Sequence, residues 1–407
     1  MFLFRSNRRV SVERHGKQQE LSPARGKDAN YVTSMYDFIE LRSSLPTREA
    51  RRALSRVEEE DWLATHRPPL ELGISNRGEF QRKKAAQSGQ VSAMPFRAID
   101  NQVMKLKGDG VVRLAILNGF GTGLSDTLVG LTAFREVRKR IQTAGIGELD
   151  VEMWVRPSGY DSALAVTSMH GGVDRVKMLP MPIDAFLTLD GYWDLGGLVD
   201  RPTVNTRCTV DFFLELMGID PTAVPRNEKR NRLSLSIPVV KEVGDALRDR
   251  TRRYVILHPI GGSLERNMPA EVFRELCTRL VRETDMDVAS LVPLPNMHPR
   301  HVDLSELSSR GFEQYCALIK NAAGLVTVDA SAYHVADAFS VPTVAIFSMV
   351  NPELRARYYP NVECIVLPGT GSASPGNQPR AGDVLSAWPR LDLNKVVELL
   401  VEQMPPV

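Results

Sequence analysis

From Val111 onward the chain repeats one unit that leaves little choice of fold. A short apolar run is followed by a turn and then by an apolar stripe at helical spacing. Val111-Val-Arg-Leu-Ala-Ile-Leu117 is the first such run, and it leads into Gly119, Gly121 and Gly123. Leu128, Leu131, Phe134, Val137 and Ile141 then share one helix face. Residues 151–155 read as the next strand, and 176–179 and 185–189 as weaker ones. Residues 210–217 read as a short helix closed by Gly218. After a charged helix near 239–252 the pattern restarts. Strands are expected at 254–258, 288–292, 324–328, 343–347 and 364–367. Helices are expected at 272–281, 312–319, 332–339 and 393–404, with Pro269 at a first helical position. Apolar strands alternating with helices imply parallel sheets covered on both faces. The fold class is therefore α/β: two Rossmann-like, doubly wound domains facing a cleft, with ligand at the carboxyl ends of the strands. The expected boundaries are 111–238 and 239–407, behind a basic, partly helical or irregular extension over 1–110.

Charge sets that extension apart. Of the 407 residues, the first 110 hold 20 Lys and Arg against 14 Asp and Glu, a net of +6. The remainder is slightly acidic, and the whole chain carries +2. Such an arm is either a solvated tail or an anchor for an anionic polymer or membrane surface. Global charge gives no case for nucleic-acid binding. Cys208, Cys277, Cys316 and Cys364 have no metal-ligand spacing, and they suit a reducing compartment. No stretch approaches the ~18 apolar residues of a membrane span. The expected location is the cytoplasm, with peripheral docking at the inner membrane as a variant. Oligomeric state is not legible.

Three constellations carry chemistry. The first is Asn118-Gly-Phe-Gly-Thr-Gly-Leu-Ser-Asp126. Gly119, Gly121 and Gly123 do not fit a dinucleotide fingerprint, and no Lys-Ser/Thr follows for a P-loop. Asp126 at the start of a helix is a dipole-pairing carboxylate or a base at the cleft. The second is His258-Pro-Ile-Gly-Gly-Ser-Leu-Glu-Arg266-Asn-Met-Pro269. Gly261, Gly262, Ser263 and Arg266 offer backbone donors, a hydroxyl and a guanidinium, a set suited to a diphosphate. The third is Asp329-Ala-Ser-Ala-Tyr-His334-Val-Ala-Asp-Ala, then Pro342-Thr-Val-Ala-Ile-Phe347. Asp329 closes a strand, Ala330 and Ser331 open a helix, and His334 is either a core residue or a pocket residue.

The third string resembles the Asp-(Thr/Ser)-Gly-x-x-His-x-Ala-x-Ala…Pro-Thr-x-x-(Leu/Ile)-Phe signature of the glycosyltransferase family 9 heptosyltransferases. The second is similar to the family's His-Pro-Gly…Lys-x-Trp-Pro loop. Leu124-Ser-Asp126-Thr resembles its N-terminal Gly-Asp segment. Departures are Ala330 for the hydroxyl residue, Ser331 for Gly, Arg266 for Lys, Met268 for Trp and Ser125 for Gly. The resemblance covers about residues 111–403. It implies the GT-B fold and an inverting, metal-independent sugar transfer, with no cofactor beyond a nucleoside-diphosphate sugar as donor. The acceptor is expected to be a saccharide or lipid-linked saccharide. Asp126 would be the catalytic base. Gly121, Gly123, Gly261, Gly262, Ser263, Arg266, Asp329, Ala330, Ser331 and His334 would bind substrate or nucleotide. Alternative readings are a non-catalytic nucleotide- or glycan-binding shell, and a glycosyltransferase acting on modified nucleic acid.

Overall fold

The structure, a computed structural model, describes residues 1–22, 29–74, 96–106, 110–198, 204, 206–248, 250, 253–370 and 380–405. The Arg82-Lys83-Lys84 run of the extension lies outside them. The chain divides into two compact units, residues 1–204 with 210–225, and residues 205–209 with 226–407.

The first unit starts with strands where the sequence led to an irregular arm. These are β1 (Phe2–Ser6), β2 (Val10–Arg14), β3 (Lys17–Leu21), β4 (Ala29–Thr33) and β5 (Leu54–Val57), with helix α1 (Met35–Ser44) between the last two. β2 buries alternate residues, Val10, Val12 and Arg14, as a half-buried strand must. It pairs antiparallel with β3 through His15 and Gly16, both at positive φ (51° and 70°), the twist that suits a tight hairpin. Ser34 caps α1 by accepting from the Asp37 amide at 3.1 Å. Phe2, Phe4, Tyr31, Phe38, Leu41 and Leu54 form the core of this module, with Phe4 stacked on Tyr31 at 5.2 Å.

The module is also joined firmly to later parts of the same unit. β10 (Met181–Pro182) extends its sheet by pairing with β4, giving the order β10-β4-β1-β5. Arg14 is fully buried. Its Nη1 meets the Asp37 carboxylate at 2.7 Å and its Nη2 donates to the Leu179 carbonyl at 3.1 Å. The expectation of a basic, partly helical or irregular extension over 1–110 is met in the described residues by paired strands as well as helix. Short alternating strands pair with a segment nearly 150 residues away, so local sequence carries little of the signal. Of the helical expectations inside 31–64, the one around Tyr36, Ile39 and Leu41 is met by α1, whereas Ala53 to Trp62 is strand β5 over Leu54–Val57 and helical only at Glu59–Leu63.

The rest of the first unit is a parallel sheet in the order β6-β11-β7-β8-β9, with β6 at Leu70–Glu71, β7 at Val111–Leu117, β8 at Glu148–Val155, β9 at Arg175–Met178 and β11 at Gly191–Asp194. Helix α2 (Leu124–Thr143) follows β7 and α3 (Tyr160–His170) precedes β9. Residues 183–187, expected as strand, are the helix α4 (Ile183–Leu187). Phe186 is buried against Tyr192 while Leu187 is exposed, a one-sided burial that a short helix satisfies. The expected helix at 210–217 is α5 (Thr209–Leu216), followed by Gly218 at φ 85°.

The second unit is a six-stranded parallel sheet in the order β14-β13-β12-β15-β16-β17. Its strands are β12 (Tyr254–His258), β13 (Asp287–Ser290), β14 (His301–Asp303), β15 (Gly324–Val328), β16 (Thr343–Phe347) and β17 (Val362–Val366). Helices α6 (Ile237–Arg248), α7 (Ala270–Thr284), α8 (Phe312–Asn321), α9 (Ser331–Phe339) and α10 (Leu393–Gln403) complete it. Pro269 occupies the N-cap of α7 with an extended ψ of 148°, one position ahead of where the sequence reading put it. The core holds Val255, Leu257, Phe273, Val326, Val344 and Trp388. Two separate Rossmann-like parallel sheets are the architecture the sequence called for. No helix among the described residues is long and apolar enough to cross a membrane.

The buried Arg14–Asp37 pair makes a sharp stability prediction. Arg14→Ala leaves the Asp37 charge buried without its partner, which costs about 3–5 kcal/mol. Chemical denaturation should show the first unit losing that much, whereas Arg9→Ala, at a largely exposed pair with Glu20, should change stability by under about 1 kcal/mol.

Candidate active site

In the first unit the turn after β7 is shaped by close approaches. Asn118 (φ 71°), Gly119 (φ 57°) and Gly121 (φ 134°) all lie at positive φ. Asn118 is held there by donating to Asp194 at 2.8 Å, itself the last residue of the neighbouring β11. A Cβ at Gly121 would lie 2.9 Å from both Cβ and Oδ2 of Asp126, so only glycine leaves room for that carboxylate. Gly123 is the N-cap of α2, which places Asp126 in its first turn. Asp126 is half-buried. The expected trio of Gly121, Gly123 and Asp126 is thus brought together at the carboxyl end of β7.

In the second unit β12 and β15 are neighbours, with His258 level with Thr327. This adjacency brings the loop after β12 against the start of α9. A Cβ on Gly261 would lie 2.5 Å from the Arg266 Cβ and 3.3 Å from the Asp329 carbonyl oxygen, so Gly261 is where the two segments touch. The Gly261 amide donates to Asn267 Oδ1 at 2.8 Å, and the Met268 amide donates to the Pro259 carbonyl at 2.9 Å. These bonds curl the loop so that Arg266 Nη1 reaches Asp329 Oδ2 at 3.1 Å. Asp329 is buried, and its Oδ1 accepts from the Tyr333 hydroxyl at 3.1 Å. Ala330 is the N-cap of α9 and supplies no side-chain acceptor, so no cap covers the first-turn amides at Ser331. Gly262 lies 3.6 Å from Arg266 Nη1 by the same Cβ measure, and Ser263 is the exposed N-cap of the turn that carries Arg266.

Buried polar atoms without hydrogen bonds gather at this place. They are His258 Nδ1, the Tyr315 hydroxyl, Arg266 Nε and Asp329 Oδ2. His258 ends β12, and its ring meets Tyr315 of α8 edge-on at 6.2 Å. Burial pulls the His258 imidazole down to about 4 and pushes the Tyr315 phenol above its ordinary range. Asp329 Oδ2 has its charge partner in Arg266, and the other three are buried groups of the uncommon kind that a polar ligand or ordered water can satisfy. His334 is placed differently. It is buried, its Nδ1 lies 2.8 Å from the Tyr359 hydroxyl, and its ring packs 4.1 Å from Tyr333. Burial first, then the Arg355 charge, takes it down to about 3. It is a neutral core histidine that supports α9.

The structure brings Gly261, Gly262, Ser263, Arg266, Asp329, Ala330 and Ser331 together around one βα corner of the second unit. Asp126, Gly121 and Gly123 belong to the first unit. Tyr315 was missed, since nothing in a helical apolar stripe marks one position as facing a neighbouring turn. Among the described residues, no cluster of three His, Cys, Asp or Glu is placed to hold a metal ion.

With this geometry in view, the sequence profile of glycosyltransferase family 9 (heptosyltransferase) matches residues 300–380, which include Asp329 to His334. The fold is similar to that of the ADP-heptose lipopolysaccharide heptosyltransferase II of E. coli, at 14% identity and a TM-score of 0.52, over 72% of this chain and 99% of that one. It is equally similar to a family 9 glycosyltransferase of Veillonella parvula, at 13% identity and 0.52, over 73% and 99%. No curated protein matches the sequence significantly. The fold is of the GT-B type, with two Rossmann-like parallel sheets. Residues 300–380 carry the family 9 pattern, and the fold is similar to that of a heptosyltransferase.

The two depressed histidines predict an acid response. The unfolded chain takes up protons near 6.5, while folded His258 and His334 stay neutral until about 4 and 3. Stability is therefore whole above pH 6.5 and falls as pH drops from there toward 4. Unfolding midpoints measured from pH 7.5 to 4.5 should decline, and His334→Phe should flatten the decline.

Proposed function

We propose that the protein is an inverting, metal-independent glycosyltransferase. It moves a sugar from a nucleoside-diphosphate sugar to a hydroxyl of a saccharide or lipid-linked saccharide. The observation that carries this reading is the corner formed by Arg266, the uncapped start of α9 and the orphaned His258 and Tyr315 groups. Helix N-terminal amides and a guanidinium are the donors that stabilise a departing diphosphate. A guanidinium also presents a planar fork to phosphate, where the family resemblance has a point-charge lysine. The likeness in fold to an enzyme whose name includes ADP-heptose supports a nucleotide-sugar donor, without choosing base or sugar.

The transfer is written as one displacement. The acceptor oxygen attacks the anomeric carbon, and the bond from that carbon to the diphosphate oxygen breaks. Asp126 takes the acceptor's proton, and the nucleoside diphosphate leaves with the bonding pair. Arg266, Ser263 and the amides around Ser331 stabilise the charge that develops on the leaving oxygen. Asp329 orients Arg266 and, through the Tyr333 hydroxyl, holds the first turn of α9. Ordinary general-base assistance contributes 10²–10⁴-fold, so Asp126 is asked for no more than that order (about 3–5 kcal/mol).

A thermal-shift panel with ADP, UDP, GDP, CDP and dTDP tests the donor assignment. One series should stabilise the protein by ~2.7 kcal/mol when present at about 100 times its dissociation constant, and Arg266→Ala should weaken it. Silence from all five, with folded protein, would favour the binding-shell reading. The base is tested separately. Asp126→Asn should lower kcat by about 100-fold or more with nucleotide binding retained. Gly121→Ala, which pushes on the same carboxylate, should also lower kcat without changing nucleotide affinity.

A further inference from the structure

Charge counting at the donor corner leaves a deficit. Arg266 faces Asp329 at 3.1 Å, so that pair sums to zero. His258 and His334 are neutral. A bound diphosphate brings a negative charge on each phosphate, and buried or half-buried charge needs a compensating partner. Two other arginines of the second unit are already engaged. Arg230 is paired with Asp337 at 3.0 Å and Arg357 with Glu353 at 3.0 Å.

Arg355 stands apart from these. It follows the turn Pro352–Leu354, beyond β16, and is half-buried. Its Nη1 donates to the Thr209 hydroxyl at 2.6 Å, and that hydroxyl donates to the Leu354 carbonyl at 3.0 Å. Among the described residues no carboxylate lies within ion-pair distance of it. The next residue, Ala356, packs in one apolar cluster with Tyr333, Phe347 and Tyr359. Tyr333 lies in the first turn of α9 and donates to Asp329. Arg355 is thus carried on a segment packed against the same turn whose uncapped amides face the corner.

We propose that Arg355 is a second phosphate-binding guanidinium of the donor site and supplies the net positive charge that Arg266, neutralised by Asp329, does not. Its positive charge is felt at Tyr333 and at His334, whose protonation it opposes. Thr209 holds the guanidinium until an anionic ligand arrives. The ligand class is a nucleoside diphosphate or its sugar ester, so the inference rests on the donor reading above. It adds the residue that makes phosphate number matter.

The test is binding, measured by calorimetry with the five nucleoside diphosphates and the matching nucleosides on the full chain. Arg355→Met should weaken the tightest diphosphate by about tenfold or more, in line with loss of a charge-assisted contact. It should leave the matching nucleoside unchanged and reduce the salt dependence of diphosphate binding. Arg355→Lys should recover part of the affinity, and it serves as the readable variant if the Met protein does not fold. Diphosphate affinity equal to wild type in Arg355→Met, or losses of equal size for nucleoside and diphosphate in the Arg355 variants, overturns the assignment. Binding of none of the diphosphates by wild type overturns the donor reading and this inference with it. Wild-type binding with an unaffected Arg355→Met protein overturns only the inference.

Discussion

The contact between Arg266 and Asp329 is the joint on which the second unit's site depends. The two residues are 63 positions apart, and each sits just beyond the carboxyl end of its own strand. They meet because β12 and β15 are hydrogen-bonded neighbours in a parallel sheet. Sheet adjacency places the turns side by side, and Gly261 removes the side chain that would keep them apart. The ion pair then fixes the direction of the guanidinium. With its side chain about a third exposed, Arg266 gains modestly in stability from the pair. The larger effect is orientation, since a guanidinium held by Asp329 needs little reordering when a ligand arrives.

Much of the fold beyond Val111 was legible because buried parallel strands are continuous apolar runs, and β7, β12, β15 and β16 are of that kind. The same logic misread 183–187, where a short apolar stretch fits strand and helix equally. Site residues in βα turns were legible too, because glycines, a carboxylate and a cation stand out between apolar blocks. Tyr315 was not. It sits in the stripe of α8, and only the order of the elements around the sheet brings it to His258 at the end of β12. His334 lies one turn from Ser331, yet the helix turns it into the core against Tyr359.

The N-terminal module was hidden by its composition. An excess of cations reads as a solvated arm when pairings cannot be seen. In the structure Arg14 is paired with Asp37, Arg9 with Glu20 and Arg8 with Glu49. Only the first of these is buried, and it alone carries substantial energy. The strands are five residues or fewer, and one strand of their sheet, β10, comes from residues 181–182. Such a sheet is specified by long-range pairing and by the aromatic cluster of Phe2, Phe4, Tyr31 and Phe38, not by local propensity.

One local choice sets the α9 corner apart from ordinary helix construction. Elsewhere in the same unit Asp392 caps α10 by accepting from the amides of Asn394 and Lys395. At α9 an aspartate is equally at hand, one residue before the N-cap, but its carboxylate is turned to Arg266 and Tyr333. Ala330 takes the cap position and leaves the amides to other acceptors. Replacing a good capping residue by alanine costs roughly 1 kcal/mol. A local rule broken at a corner that also gathers unsatisfied His258 and Tyr315 atoms is the pattern expected where stability has been given up for ligand binding. An external anion restores what the missing cap withholds: an acceptor for the first-turn amides and a negative charge at the positive end of the helix.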